Sequence, residues 1–247
     1  MTSRNDASVV RSLTAWQGCR IIRPLEGGFR NHVYLAERDG EFLVVKTTRR
    51  SEAALTWLLD VQERAREVGF IVPEFVLSDQ GCVVIEGITV EKFVTGEALS
   101  GLERPELSRL INAFHAATLD ISQRPGFASA KDLLSVAQGG DVDFRPMPPA
   151  LVARCREAWR HLPDEPSAVV HSDLNLGNLL ETPGGHIALL DWDETRVDVP
   201  FFDTAVLRQE RLKPWEKQIL TAWEVAVSWQ IEPKYARQQA LELRRHD

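Results

Sequence analysis

The sequence predicts an α+β protein of two lobes, a β-rich one over residues 1–95 and a mainly helical one over residues 96–247. Three observations carry this. Before residue 95, short apolar and β-branched runs alternate with turn residues. Beyond it, apolar residues recur at the spacing of one helix face. One compact hairpin then interrupts the helical part with an unusual density of acids and amides.

The stretch "IIRPLEGGFRNHVYLAERDGEFLVVKTT", Ile21 to Thr48, holds the runs Val33 to Ala36 and Phe42 to Val45, broken by "EGG" and "RDGE", and reads as hairpins. Ser51 is a good N-cap for a helix whose apolar residues Ala54, Leu55, Leu58, Leu59, Val61 and Ala65 fit a 3.6-residue period; Gly69 and then Pro73 close it. "FVLSDQGCVVIEGITVEKFVTG" reads as paired strands about a turn at Asp79-Gln80-Gly81. The first lobe is therefore expected to be a sheet with one helix packed on it.

After Gly96, Pro105 suits the first turn of a helix carrying Leu107, Leu110, Ile111, Phe114 and Thr118. Leu151, Val152, Cys155, Trp159 and Leu162 repeat the pattern, as do Trp215, Ile219, Leu220, Trp223 and Val227, and a last helix is expected around Tyr235 to Arg245. Between them "RPGFASAKDLLSVAQGGDVDFRPMPPA", rich in Gly, Pro and Asp, reads as a partly irregular surface excursion.

Composition narrows the function classes. With 44% hydrophobic and 26% charged residues, the chain has the make-up of a soluble globular protein. A net charge of -7, from 36 acidic and 29 basic residues, argues against nucleic acid as a partner. Cys19, Cys82 and Cys155 have neither the number of a disulfide framework nor the spacing of a zinc site, which points to a reducing compartment. No apolar run resembles a signal-peptide core or a membrane span, so a cytoplasmic protein is expected.

The hairpin is the chemically loaded segment: "VVHSDLNLGNLLETPGGHIALLDWDE", Val169 to Glu194. Asn178 to Glu181 and His186 to Leu190 are short strands about the four-residue turn "TPGG". If Glu181 faces His186, antiparallel register sets Asn178 opposite Leu189 and brings Asn178 and Asp191 to one open end. Asp173 precedes that end in a loop. Singly, Asp173 and Asn178 are ordinary turn caps and Asp191 an ordinary strand end. Together, one amide and two or three carboxylates suit a hard cation such as Mg2+, with one acid left to orient a hydroxyl.

"HSDLNLGN" followed by "ALLDWDE" resembles the catalytic loop and metal-binding strand of the aminoglycoside phosphotransferase and choline kinase family, which shares a protein-kinase-like fold. "LEGGFRNHVYLAE", "FLVVKTT", "TVEKFVTGEAL", "FHAAT" and "RVDVPFFDTAVL" resemble, in order, its phosphate loop, strand lysine, hinge, first C-lobe helix and the loop after the metal aspartate. The resemblance implies a kinase that transfers the γ-phosphoryl group of ATP, with GTP an alternative, to a hydroxyl of a small molecule. Asp173 would align that hydroxyl, and Asn178 and Asp191 would hold Mg2+. Lys46 would neutralise phosphates, oriented by Glu52 in preference to Glu63. Gly27 and Gly28 would cradle phosphates, and the backbone of Lys92 and Val94 would meet adenine.

Departures accompany the likeness. "EGGFRN" is not the G-x-G-x-x-G of protein kinases, and Ser172 stands where many relatives have glycine and protein kinases have arginine. Without that arginine, control by an activation-loop phosphate is not expected. His115 and His171 read as structural hydrogen-bonders, Asp203 as a loop-fixing group, and Asp193 as a second metal contact or a solvated loop acid. Acceptor contacts are expected around Phe127 to Phe144 and in the last 35 residues, where no motif is readable. A nucleotide-binding protein with little catalysis is the main alternative. A metal-dependent phosphohydrolase using His171, Asp173, Asp191 and Asp193 as ligands is a further one.

Overall fold

β-Branched and aromatic residues at alternate positions pair the first strands into one antiparallel sheet. The computed structural model describes residue 9 and residues 12–25, 31–208 and 211–244. In it β1 (Arg20–Pro24), β2 (Val33–Arg38), β3 (Glu41–Thr47) and β4 (Ile88–Lys92) lie in the order β1-β2-β3-β4. Asp39 and Gly40, both at positive φ (54° and 84°), form the two-residue turn between β2 and β3, whose twist suits a tight hairpin. Tyr34, Ala36, Leu43, Val45, Ile88 and Val90 bury one face of the sheet under Val9, Leu13 and Trp16.

Residues 75–87 do not form the strand expected there. Only Ile88–Lys92 pairs as a strand, while Phe75 and Ile85 make isolated bridges to Glu91 and Ile88. Left-handed Glu86 and Gly87, at φ 47° and 75°, turn the chain just before β4 and cut any longer run. The turn at Asp79 to Gly81 is present, with Gly81 N–H donating to Ser78 O at 2.8 Å.

Ser51 caps α1 (Glu52–Glu67) by accepting from Ala54 N–H at 3.2 Å, and Gly69 at φ 110° ends it. The partners of its apolar face differ from expectation. Leu55, Leu58, Val61 and Ala65 share a core cluster with Leu107, Leu110 and Ile111 of α2 (Pro105–Ala117), and with Leu179, Ile187 and Leu189 of the later hairpin. The core that buries α1 is thus built largely from residues beyond 96.

The helical part continues with α3 (Pro149–Trp159), α4 (Phe201–Val206), α5 (Pro214–Ser228) and α6 (Pro233–Arg244). Cys155 and Trp159 of α3 pack with Ile219, Ala222 and Trp223 of α5 and Ala240 and Leu243 of α6. The Gly- and Pro-rich excursion is more deeply packed than its composition suggests. It forms a 3-10 turn (Asp132–Leu134) and a small hairpin, β6 (Gln138–Gly139) with β7 (Val142–Asp143), and it buries Ala130, Leu133, Val142, Phe144 and Met147 in this same core. Those apolar residues follow neither a period of 2 nor one of 3.6, so patterning alone misses them. No described helix is long and apolar enough to cross a membrane.

Five short strands frame the loaded segment. β5 (Glu97–Ala98) pairs with β9 (Leu179–Glu181), β9 with β10 (Ile187–Leu189), and β8 (Ala168–Val170) with β11 (Arg196–Asp198). The β9–β10 register differs by one from that expected: Glu181 faces Ile187, and Leu190 N–H donates to Asn178 O at 2.8 Å. The cause lies in the turn. Thr182 N–H donates to His186 O at 2.9 Å, while Thr182 O accepts from Gly185 N–H at 2.8 Å with Gly185 at φ 76°. That leaves a three-residue loop ending in a left-handed glycine. Asn178 and Asp191 still reach the same end, now one position closer.

Candidate active site

Loop 171–178 builds the site from backbone strain and side-chain hydrogen bonds. Ser172, at φ 71°, turns the chain so that its own N–H and that of His171 both donate to Asp203, each at 2.8 Å. Asp203 is fully buried at the start of α4 and also bonds His115 Nε2 at 3.0 Å. Burial works against its charge, but the His115 hydrogen bond and the other donors prevail and hold its pKa below the ordinary carboxylate value. Asp203 is thus the loop-fixing group expected from the sequence, and it acts through two backbone amides.

His171 is structural. Its Nε2 lies 2.9 Å from Leu190 O, which can only accept, so Nε2 carries the proton and Nδ1 accepts from Asp173 N–H at 3.4 Å. The ring meets Trp192 edge-on at 5.1 Å, and Trp192 Nε1 donates to Leu189 O at 2.9 Å. The loop before Asp173 and the chain before Asp191 are thereby tied to each other.

At the front, Asn178 Nδ2 donates to Asp173 Oδ2 at 2.9 Å and to Asp173 O at 2.8 Å, while Asn175 Nδ2 donates to Asp173 Oδ1 at 2.9 Å. Burial raises the Asp173 pKa, and the neighbouring Asp191 carboxylate adds to the rise against these hydrogen bonds. Asp191, at φ 58° with its side chain 48% exposed, lies 3.8 Å from Lys46 Nζ. With the Asn178 amide nitrogen engaged by Asp173, its oxygen is the atom left for a cation. An amide oxygen and an open carboxylate fit Mg2+, which takes few protein ligands and keeps water and phosphate in its shell. Among the described residues no group of three or more His, Cys, Asp and Glu forms a closed metal cage.

Lys46 finds a partner the sequence reading missed. Its Nζ lies 3.1 Å from Glu91 Oε2. Lys46 pairs with Thr89 across β3–β4, so Glu91 is the diagonal neighbour on the same face. Glu52 is exposed in the first turn of α1, Glu63 bonds Arg66 at 3.1 Å, and neither is paired with Lys46. Burial acts to lower the Lys46 pKa, but the Glu91 and Asp191 carboxylates prevail and hold it above the ordinary lysine value. A carboxylate inside the apolar run "ITVEKFV" was the available signal.

The remaining expected contacts are placed unevenly. Gly27 and Gly28 lie outside the described residues. Lys92 ends β4 with its N–H given to Glu74 O at 2.8 Å and its Nζ 2.6 Å from Glu74, so that amide is not open to a ligand. Val94 follows in an irregular, half-buried segment. Asp193 is half-buried in the same cleft and ion-paired, with Arg50 forking onto both of its oxygens at 3.0 and 2.7 Å. Asn31, Lys46, Thr47, Thr89, Glu91, Asp191 and Trp192 line the cleft between sheet and hairpin.

The sheet carrying a half-buried, ion-paired lysine, the helix after it, and the loop and hairpin joining Asp173, Asn178 and Asp191 in a helical lobe define a protein-kinase-like fold. The chain belongs to the phosphotransferase enzyme family, which it matches over residues 21–237. Among solved structures it is similar to a microcompartment-associated aminopropanol kinase, with TM-score 0.63 at 18% identity, covering 98% of this chain and 94% of that one. It is also similar to aminoglycoside phosphotransferase APH(4)-Ia in a ternary complex with AMP-PNP and hygromycin B, with TM-score 0.64, 14% identity and 97% of each chain covered. For choline kinase LicA from Streptococcus pneumoniae the values are 0.60, 14% and 99% of each chain. At these identities the likeness is one of fold. No curated protein sequence matches the chain.

Proposed function

We propose that this protein is a cytoplasmic small-molecule kinase that transfers the γ-phosphoryl group of ATP, or of GTP, to a hydroxyl of a metabolite or antibiotic. The observation that carries the reading is the Asn178 amide, which ties the Asp173 carboxylate beside the Asp191–Lys46 pair. In this reading residues 1–95 carry the nucleotide and residues 96–247 the acceptor. Lys46, held by Glu91, neutralises phosphate charge; Gly27 and Gly28 offer backbone amides, and Val94 a hinge contact for the base. Asn178 and Asp191 are the Mg2+ ligands. A Mg2+ ion held by them would supply charge neutralisation to the nucleotide phosphates.

Asp173 accepts a hydrogen bond from the acceptor hydroxyl and takes its proton late in transfer. A half-buried carboxylate held by two amides is rigid, so rate comes chiefly from alignment. A polar recess of about 550 Å³, lined by Arg49, Gln138, Asp141, Asp143, Arg145 and Gln230, joins the two segments expected to contact the acceptor and is its candidate seat. The phosphohydrolase alternative is weakened because His171 and Asp193 are both already engaged.

Asp173→Asn is expected to lower turnover by about 10²–10⁴-fold with Mg·nucleotide affinity nearly unchanged, whereas Asp191→Ala weakens that affinity itself. An ADP-release screen over aminoglycosides, macrolides, amino alcohols, homoserine and sugars, with Asp173→Asn as blank, measures this. Full turnover by Asp173→Asn on a genuine acceptor, or no thermal stabilisation by any Mg·nucleoside triphosphate, would overturn the reading.

A further inference from the structure

Arg50 sits in the connection between β3, which carries Lys46, and α1, and its side chain is only 9% exposed. It makes four hydrogen bonds to two carboxylates that are distant in sequence. Nη1 and Nη2 donate to Asp141 at 2.8 and 2.7 Å, and Nε and Nη2 donate to Asp193 at 3.0 and 2.7 Å. Asp141 is at the turn of the β6–β7 hairpin, and Asp193 is two residues beyond Asp191. One guanidinium therefore joins the nucleotide lobe, the metal loop and the hairpin of the candidate acceptor recess.

A second arginine completes the arrangement. The Phe127 ring has the Arg50 guanidinium 5.0 Å and the Arg124 guanidinium 4.3 Å from its centroid. Arg124 Nη1 donates to the carbonyls of Asp193 at 2.9 Å and Thr195 at 3.1 Å. The loop after Asp191 is thus held by its side chain from one lobe and by its backbone from the other. Two arginines and two aspartates balance in formal charge. With both Asp193 oxygens engaged, Asp191 is the acid of this loop left facing Lys46.

We propose that Arg50 is a positioning residue: by gripping Asp193 and Asp141 together it fixes Asp191 relative to Lys46 and couples the metal loop to the hairpin beside the acceptor recess. The forked geometry matters. A guanidinium can bond two carboxylates side by side, whereas an ammonium at the same place acts as a point charge and cannot reproduce the planar grip. The coupling follows from connectivity. Movement of the β6–β7 hairpin pulls on Asp141, and through Arg50 on the loop that presents Asp191.

This inference rests on the kinase reading for its functional consequence but not for its mechanical one, and the test separates the two. Arg50→Met, Arg50→Lys and Asp141→Asn are compared with the full-length wild type by backbone hydrogen exchange over residues 190–196 and by titration with Mg·AMP-PNP at several Mg2+ concentrations. Exchange over 190–196 is expected to speed up at least tenfold in Arg50→Met, to be restored only in part by Arg50→Lys, and to speed up to a lesser degree in Asp141→Asn. The Mg2+ concentration for half-saturation should rise at least fivefold in Arg50→Met. Should Arg50→Met not fold, Asp141→Asn and Arg50→Lys carry the same comparison. Unchanged exchange over 190–196 in the folded variants overturns the clasp whatever the protein binds. Faster exchange with an unchanged Mg2+ dependence overturns its positioning role. A wild type that binds no Mg·AMP-PNP would instead count against the kinase reading and leave the exchange result to decide the clasp.

Discussion

At Ser172 two effects oppose each other. A non-glycine residue at φ 71° is strained, which explains why the resemblance sets glycine there. The serine hydroxyl, however, is hydrogen-bonded by Arg196, a fully buried guanidinium that also bonds Asp198 at 2.9 Å and stacks 3.3 Å over Trp223. Ser172→Gly relieves about 1 kcal/mol of strain but removes a hydrogen bond to a buried charge worth about 1.5–3 kcal/mol, so the bond wins. The expected order of stability in urea titrations is wild type, then Ser172→Gly lower by about 1 kcal/mol, then Ser172→Ala lower by about 2 kcal/mol; Ser172→Gly above wild type would refute it. Arg196 reaches Ser172 from β11, a contact visible only once the strands pair.

Among the elements, the β6–β7 hairpin shows how backbone fit replaces periodicity. A Cβ on Gly139 would lie 2.3 Å from Ala128 Cβ and 2.7 Å from Ala128 N, backbone neighbours that cannot swing aside. Gly139→Ala should therefore destabilise the fold by about 1–3 kcal/mol, whereas Gly101→Ala, with open space around its Cβ, should change the melting temperature little. Equal melting temperatures for the two variants would contradict the packing described. Helices and the first hairpins were legible because their signals are local: the Ser51 cap, Pro105 at a first turn, Asp39-Gly40 between strands. The β9–β10 register was not, because the hydrogen bonds that make "TPGG" a three-residue loop depend on Thr182 and His186 facing each other.

For the whole molecule, Asp203 links acidity to stability. It ties α2 through His115, the 171–173 loop through two amides, and α4, and its pKa in the fold is depressed. An aspartate with a depressed folded pKa contributes stability that is present above its unfolded value, about 3.9, and lost as pH falls through the folded value. Wild type should therefore lose stability on acidification below about pH 4. Asp203→Asn should be less stable at pH 7 and lose less over the same acid interval. Urea unfolding at pH 7 and at steps between pH 5 and 3 measures both slopes, and parallel curves would exclude the linkage.

The sequence by itself determined the α+β class, the main helices and first strands, and the acids and amide that meet at the hairpin, because each follows from neighbours a few residues apart. Tertiary structure decided the partners. Lys46 pairs with Glu91 and not Glu52 since β3 and β4 lie side by side, and α1 packs on α2 and the hairpin since their apolar faces close one core. Asp193 is ion-paired since Arg50, 143 residues earlier in the chain, is brought against it. Local propensity fixes which groups stand near one another along the chain; which charge answers which is set by distances that exist only after the lobes have packed.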